Sequence, residues 1–267
     1  MAIGVKACVD GVSRNVKQIP LCVDLVSRNT KEGWACVDGV SRKFFGGAGL
    51  SIGQSVFLNL SGNRYEFIVV HKGLPSSVYD SSCDGIWLLK KSTYGTYAWD
   101  TGRTTYYQDS DIHEFLNSDT LGKFDSDIQN IIKQVKIPHY GLIPNGDGSS
   151  SPGFCNGANG LSTKVFLLSY TEVMGTSHTY AKEEGAVLDY FNGASAADRI
   201  AYYQDGATSA NQWWLRSYYT LSTSQAWTIT TTGTADYYSK SSTRALRPAI
   251  ILPHDIQVDS DFNIIAS

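Results

Sequence analysis

One unit written three times constrains residues 5–44 more tightly than any other feature constrains the rest of the chain. The copies are Val5-Lys6-Ala7-Cys8-Val9-Asp10-Gly11-Val12-Ser13-Arg14, Leu21-Cys22-Val23-Asp24-Leu25-Val26-Ser27-Arg28 and Ala35-Cys36-Val37-Asp38-Gly39-Val40-Ser41-Arg42, with Cys8, Cys22 and Cys36 recurring every 14 residues. Asp-Gly between β-branched runs predicts a two-residue hairpin turn, because a type I′ turn needs positive φ at both central positions. Leu25 replaces the glycine in the middle copy, so its turn must differ or be strained. Glycine and the valine-rich stretches disfavour a helix. An isolated hairpin is marginal in water, so this segment is expected to pack against other copies or another protein; the alternative is a flexible tag. Gly46-Gly47-Ala48-Gly49 reads as a hinge. The expected organisation is therefore a small all-β repeat module over 1–46, for attachment or oligomerisation, and a ligand-binding domain over 47–267.

The larger part mixes short strands with short helices. Strands are predicted at Ser55–Asn59–Leu60, Tyr65–His71, Gly85–Lys90, Val165–Leu168, Trp213–Ser217, Ala226–Thr230 and Ala245–Leu252, with Ser61-Gly62-Asn63 turning the first two into a hairpin. Apolar residues at helical spacing predict helices over Asp111–Leu116 and Asp125–Val135. Ser169-Tyr170-Thr171-Glu172 is a capping box opening another. Gly185–Phe191 and Ser195–Tyr203 read as further short helices, and residues 138–163 as a long loop. This pattern predicts the α+β class.

Several chemistries find no support. Apolar residues make up 42% of the chain, enough for a core, while 22 Lys+Arg against 25 Asp+Glu leave a net charge of −3. That balance excludes the basic footprint of a nucleic-acid binder. No apolar run approaches the ~18 residues of a membrane span, and Met1–Lys6 lacks a signal-peptide pattern, so neither membrane insertion nor a leader is expected. Cys83 and Cys155 stand apart from the repeat; the five cysteines are expected as reduced small hydrophobes, with a Cys83–Cys155 bridge left as an alternative. No C-x-x-C, H-E-x-x-H, G-x-S-x-G or P-loop occurs. The five histidines, His71, His113, His139, His178 and His254, are scattered. Asn145-Gly146-Asp147-Gly148-Ser149 offers oxygen ligands but lacks the acidic residue that completes a calcium loop. No catalytic residue, cofactor or metal site is therefore expected.

Two resemblances add to this reading. The Val-Asp-Gly-Val-Ser-Arg repeat resembles short hairpin repeats of tail-fibre-type proteins from bacteriophages of gut Firmicutes. Trp213-Trp214-Leu215-Arg216-Ser217, followed by Leu246-Arg247-Pro248-Ala249, looks like the C-terminal signature of a C-type-lectin-like fold. That fold carries the variable proteins of diversity-generating retroelements, formylglycine-generating-enzyme-like domains and a related group common in Firmicutes and their phages. Ile112–Asn117 and Lys164–Ser169 resemble the last group, and the likeness spans roughly residues 50–252. It implies a C-type-lectin-like domain behind the repeats. Formylglycine-generating chemistry uses a cysteine pair near the domain's C-terminus, and no cysteine follows Cys155. The calcium-dependent sugar-binding motifs of lectins are also absent.

The segment between the two signature strands is rich in Tyr, Ser and Thr. A Tyr/Ser surface is what antibody paratopes use, since Tyr gives a large contact with two χ angles to freeze and Ser adapts its hydrogen bonds. By resemblance to the retroelement proteins, ligand contact falls on Tyr218, Tyr219, Thr220, Ser222, Thr223, Ser224, Thr228, Tyr237, Tyr238, Ser239, Ser241 and Ser242. Trp213, Trp214, Leu215, Trp227, Leu246 and Pro248 are the expected scaffold. Tyr-Tyr pairs and Ser runs that do not alternate as a half-buried strand favour exposed loops; a Thr/Tyr-rich sheet is the plain alternative. The expected function is a phage tail receptor-binding adhesin, not an enzyme, located on the virion tail or alternatively the bacterial surface. Its partners are a bacterial cell-surface protein or glycan and, through the repeats, other tail proteins, with a homotrimer raising avidity. Two other readings compete. One is a formylglycine-generating-like or glycan-processing enzyme; a glycosidase needs two carboxylates across a cleft, and acids such as Asp80, Asp84, Glu183 and Glu184 show no spacing that pairs them. The other is a structural protein, favoured if Tyr218, Tyr219, Tyr237 and Tyr238 are buried.

Overall fold

Ser55–Leu60 and Asn63–Gly73 pair through Ser61 and Gly62, both at positive φ (51° and 75°), as a tight hairpin turn requires. The computed structural model describes residues 49–265 apart from Arg103 and Ser177, together with the backbones of Lys6–Val9, Val12–Asn15, Gly33–Val37 and Val40–Gly46. The hairpin continues into an antiparallel four-stranded sheet ordered Ala249–Leu252, Gly85–Lys90, Asn63–Gly73, Ser55–Leu60. All six residues of Gly85–Lys90 are buried, because both faces of this sheet are covered. Ile86 and Leu88 point into one core with Ile112, Leu116, Phe124 and Ile128. Trp87 and Leu89 point into a second with Phe166, Leu168, Val173, Leu188 and Phe191. The period of two along the strand divides the side chains between the cores.

A five-stranded sheet extends the scaffold in the order Ala235–Ser239, Gln225–Ile229, Trp213–Tyr218, Thr243–Ala245, Thr96–Ala98. Its central strand follows the same rule, with Trp214 in the first core and Trp213 and Leu215 in the second. Trp213 donates its indole N–H to Arg199 O (3.1 Å) and Trp214 to Tyr97 O (2.9 Å), so both large rings are buried with their polar atoms satisfied.

The α+β, C-type-lectin-like expectation is overturned. The structure is mainly β, a set of small sheets with 37% of residues in strands and 19% helical, and its α-helices span only four to six residues, as in Ala196–Arg199 and Ser126–Ile131. Two local causes shorten two of the predicted helices. Gly185 sits at φ 121° with its Cα against the Tyr79 hydroxyl, where no side chain fits, so only Asp189–Phe191 turns, as a 3₁₀ helix. The helix predicted to Val135 ends at Ile131 because Ile132 is already extended and Lys133 N–H is drawn to Ile251 O (2.9 Å). The predicted loop over 138–163 instead contains the paired strands His139–Pro144 and Ser150–Cys155, and Leu161–Thr163. Val165–Leu168 is buried, yet it is not a strand, meeting the sheet through the single bridge Phe166–Ala249.

Near the N-terminus, Lys6–Val9 pairs with Val12–Asn15 and Gly33–Val37 with Val40–Gly46, each register leaving two residues between the paired ends. The middle copy, Leu21–Arg28, lies outside the described residues, as do the Asp-Gly turn residues. Val40–Gly46 also pairs with Gln257–Val258, which pairs in turn with Ile264–Ile265. Among the described residues no helix is long and apolar enough to cross a membrane.

Candidate ligand-binding surface

The strand Trp213–Tyr218 is anchored by a buried charge network that prediction missed. Arg216 and Glu172 are both fully buried and form a two-pronged pair, Nη1 to Oε2 at 2.6 Å and Nη2 to Oε1 at 2.8 Å. Such a fork matches guanidinium to carboxylate geometry. Burial opposes the charge on Arg216, but the Glu172 carboxylate outweighs it and holds the guanidinium above its ordinary value. Nη1 and Nη2 also donate to the carbonyls of Leu167, Pro138 and Glu184 at 2.8–3.0 Å, while Nε is left without an acceptor. Glu172 also accepts from the Tyr79 hydroxyl (2.8 Å) and closes the capping box on Ser169 N–H (2.8 Å). Beside it, Glu184 accepts from Tyr140 N–H (2.8 Å) and from the Ser217 hydroxyl. Burial raises the Glu184 carboxyl above its usual range, against the pull of Arg216 and these hydrogen bonds. The Arg216-Ser217 pair of the motif thus serves as scaffold.

Beyond Ser217 the strand ends at Tyr218 and runs into a tip formed by residues 219–224 and the turn at 240–242. Lys240, 3% exposed, ties the tip to the body. Its ammonium donates to the carbonyls of Thr104 (3.1 Å), Thr105 (3.0 Å) and Thr223 (2.8 Å) and sits 4.4 Å from the Trp99 ring centroid. Burial, partly offset by Asp100, lowers it to about 8.

The twelve predicted contact residues do not form one patch. Tyr237 is 39% exposed and stacks on Tyr219 at 3.9 Å, and both rings meet the edge of Trp227. Tyr238, its neighbour, points to the other face, where Arg244 lies 3.5 Å over its ring. Both belong to Ala235–Ser239, so the expectation that a Tyr-Tyr pair marks an exposed loop fails here: adjacent strand residues point to opposite faces. Tyr218 is half-buried in a triangle with Tyr106 and Tyr140, at 5.9 and 6.0 Å. Thr228 is wholly buried, its hydroxyl held between Gln212 and Asp236 O, and Tyr219 is 7% exposed. These two are corrected to scaffold, since the sheet and the stacked ring cover them. Thr220 N–H is bonded to Tyr180 O (3.0 Å). Around the tip, Ser222 pairs with Ser224 (2.9 Å) and Ser239 with Ser241 (3.0 Å), while Thr223, Ser224 and Ser241 are exposed and Ser242 is partly so.

The structure adds Tyr106, Tyr140, Tyr180, Leu221, Lys240 and Arg244 to this surface. Leu221 is 65% exposed at the tip. Lys240, with Asp236 one of two charges in a neutral run, carried a sequence signal, and so did the Tyr106-Tyr107 doublet. Leu221 and Arg244 lie within or beside the predicted segment, whereas Tyr140 and Tyr180 come from distant parts of the chain.

The groups considered for chemistry are otherwise engaged. Cys83 and Cys155 are free and buried, and burial pushes the Cys83 thiol up to about 12. His139 Nε2 meets Gln108 Oε1 at 2.9 Å, and burial together with Arg216 lowers it to about 4. The Asn145–Ser149 loop closes on itself, Asp147 accepting from Ser149 N–H (2.9 Å) and Oγ (2.6 Å). Among the described residues no three His, Cys, Asp or Glu side chains gather as metal ligands.

No curated protein and no solved structure matches the chain. One family does, over residues 84–254, from the central strand of the first sheet through the whole five-stranded sheet and its tip. That span is more than half of the sequence, and it places the chain in the family described as a domain of unknown function, DUF6273.

Proposed function

We propose that the chain is a receptor-binding protein of a bacteriophage tail, or alternatively of a bacterial cell surface, and that the tip of the five-stranded sheet meets the receptor. The observation that carries this reading is the setting of Tyr237, an exposed ring already fixed by stacking on Tyr219 over Trp227. A ring held in place loses little rotamer freedom on binding, so more of its contact energy survives as affinity. Leu221 adds an exposed apolar contact, and Ser222, Thr223, Ser224 and Ser241 supply adaptable hydroxyls on a tip that Lys240 holds to the body. Binding rather than catalysis is the reading because Cys83, His139 and Glu184 are buried in hydrogen-bonded positions.

The receptor is a bacterial surface protein or glycan. The N-terminal repeats join the chain to other tail proteins and to two further copies, and a trimer multiplies weak contacts into avidity. Variation between isolates is expected at the exposed tip positions, with Trp213, Trp227 and Leu246 constant.

The test is cell binding by the full chain carrying Tyr218→Ala and Tyr237→Ala, with folding followed by thermal melting. A folded double variant should lose at least about tenfold in binding, roughly 1.4 kcal/mol or more. Host cells that bind this folded variant as well as the original would refute the proposal.

A further inference from the structure

A cleft of about 590 Å³ shares no lining residue with the tip. This is the volume of a small-ligand site. Its walls are tied together: Thr93 N–H donates to Tyr202 O (2.9 Å), Thr93 Oγ1 to Tyr203 O (3.3 Å), and Tyr94 N–H to Leu246 O (2.8 Å). Tyr65 and Tyr94 meet edge to face at 5.9 Å, and Tyr203 stands at the rim with Asp205. The cleft therefore offers rings, hydroxyls and one carboxylate, and the guanidinium of Arg64, which is itself bound to Asn263 Oδ1 (2.7 Å) and Asp261 O (2.9 Å).

Lys90 lines this cleft and is 1% exposed. Its ammonium donates to Ser92 Oγ (2.6 Å) and lies 4.7 Å from the Tyr65 ring centroid. An ammonium has three donors, and among the described residues the other two find no protein acceptor. No described carboxylate lies within 4 Å of it. Asp205 and Glu66 act on it from farther away, and Arg247 repels it. Arg247 is itself buried, donates Nε–H to Lys90 O (2.9 Å), leaves Nη1 without an acceptor, and has no carboxylate within 4 Å. Two buried cations thus repel each other with no carboxylate in contact among the described residues, Asp205 and Glu66 reaching Lys90 only from farther away. Buried charges are ordinarily paired, and Arg216 and Glu172 show this chain pairing one where the role is structural.

We propose that this cleft binds an acidic sugar, its carboxylate received by Lys90, its ring set in the right-angled corner between Tyr65 and Tyr94 with one of them facing it, and a hydroxyl donated to Asp205. The carboxylate supplies the anion that Lys90 lacks. The stacked ring uses the apolar face of the sugar. Asp205 favours a polyhydroxylated ligand over a simple aliphatic acid. The site is independent of the adhesive tip and stands whether or not the tip binds cells.

The experiment is titration of the purified full chain with D-glucuronate and, separately, D-glucose, followed by ligand-observed NMR. Glucuronate should bind in the millimolar range or tighter, and glucose at least about tenfold more weakly. Affinity for glucuronate should fall as pH is raised from 7 to 9.5, because burial leaves Lys90 losing its proton near pH 8. Lys90→Met should abolish the preference for the acid while the thermal melt stays within a few degrees. Equal binding of the two sugars, no binding of either up to about 10 mM, or a preference kept in folded Lys90→Met each overturns the proposal. Should Lys90→Met fail to fold, the pH series on the unaltered chain decides: a flat affinity across that range overturns it.

Discussion

Lys240 and Lys90 are close to the same residue placed twice. Each is almost fully buried, each lies near a ring, and burial lowers each to about 8. Neither has a carboxylate within 4 Å among the described residues. They differ in what accepts their protons. At the tip, three carbonyls from two loops receive the Lys240 ammonium. In the cleft, one serine hydroxyl receives that of Lys90. The difference separates a cation that organises backbone from one whose donors remain for something outside the chain. Arg216 completes the series, since it alone of the three is paired with an acid, Glu172.

The series predicts a ranking of deletion costs, and its largest member is Arg216. Arg216→Leu strands the Glu172 carboxylate in a site with no water access, which costs about 3–5 kcal/mol. Denaturant unfolding should show this loss, and the double variant Arg216→Leu with Glu172→Met should recover much of it. A double variant as unstable as the single would mean that shape, not the lone buried carboxylate, sets the cost.

Much of this architecture was readable in the sequence where the determinant is local. Ser55–Leu60 and Gly85–Lys90 follow from their apolar runs, the turn from Ser61-Gly62, and the helix starts from Ser169/Glu172 and Ser195/Asp198. What escaped depends on partners far along the chain. Glu172 was legible as a capping residue, but its pairing with Arg216 spans 44 positions. The hairpin of residues 139–155 hid because its outer strand is mostly exposed and carries Ser, Pro and Gly instead of alternating apolar residues. The tip was legible as composition but not as geometry. The Tyr/Ser/Thr bias identifies the segment, whereas pleating decides that Tyr237 and Tyr238 diverge and that Tyr219 and Thr228 are covered.

The second rank belongs to Lys240. Lys240→Met removes the donor that Thr104, Thr105 and Thr223 share, and each stranded carbonyl carries a desolvation cost of about 1–3 kcal/mol when buried. Relief of the buried charge offsets part of this, leaving an expected loss of about 2 kcal/mol. Amide hydrogen exchange should accelerate at residues 219–224 and 240–242 before it does at Trp213–Tyr218. Uniform acceleration would show that Lys240 supports the whole sheet and not the tip.

Proton linkage tests whether the two lysines share the same burial penalty. The unfolded chain keeps lysine protons to about pH 10.5, whereas the folded chain releases these two near pH 8. Between those values the unfolded state binds more protons, so stability rises with pH. From about pH 9 the trend is opposed, first by Cys83, whose thiol burial keeps protonated to about 12, and then by Tyr79, Tyr107 and Tyr218, which stay protonated in the fold after unfolded tyrosines ionise. Unfolding free energy should therefore climb from pH 8 to a maximum at about pH 9 and fall at higher pH. Replacing either lysine with Met should reduce the climb. A slope unchanged in both variants would remove the assignment of the effect to these residues.

The smallest expected effect is also the most discriminating. Lys90→Met takes away a buried cation and strands one acceptor, a serine hydroxyl that can turn to another partner. The thioether fits the volume of the lysine stem, and replacing buried charge with apolar atoms is often neutral or stabilising. Next to Lys90, Arg247 also loses a like-charged neighbour. The expected change is within about 1 kcal/mol of zero, leaning toward stabilisation. Comparing urea midpoints of Lys90→Met and Lys240→Met in one buffer at pH 7 gives the contrast directly, with burial and residue type held constant. A loss for Lys90→Met as large as that for Lys240→Met would mean that the cleft lysine is structural too, and that accepting groups do not separate the two. A gain in stability would mean that the chain keeps a destabilising cation at the cleft floor, which is the expected signature of a residue held there for a ligand and not for the fold.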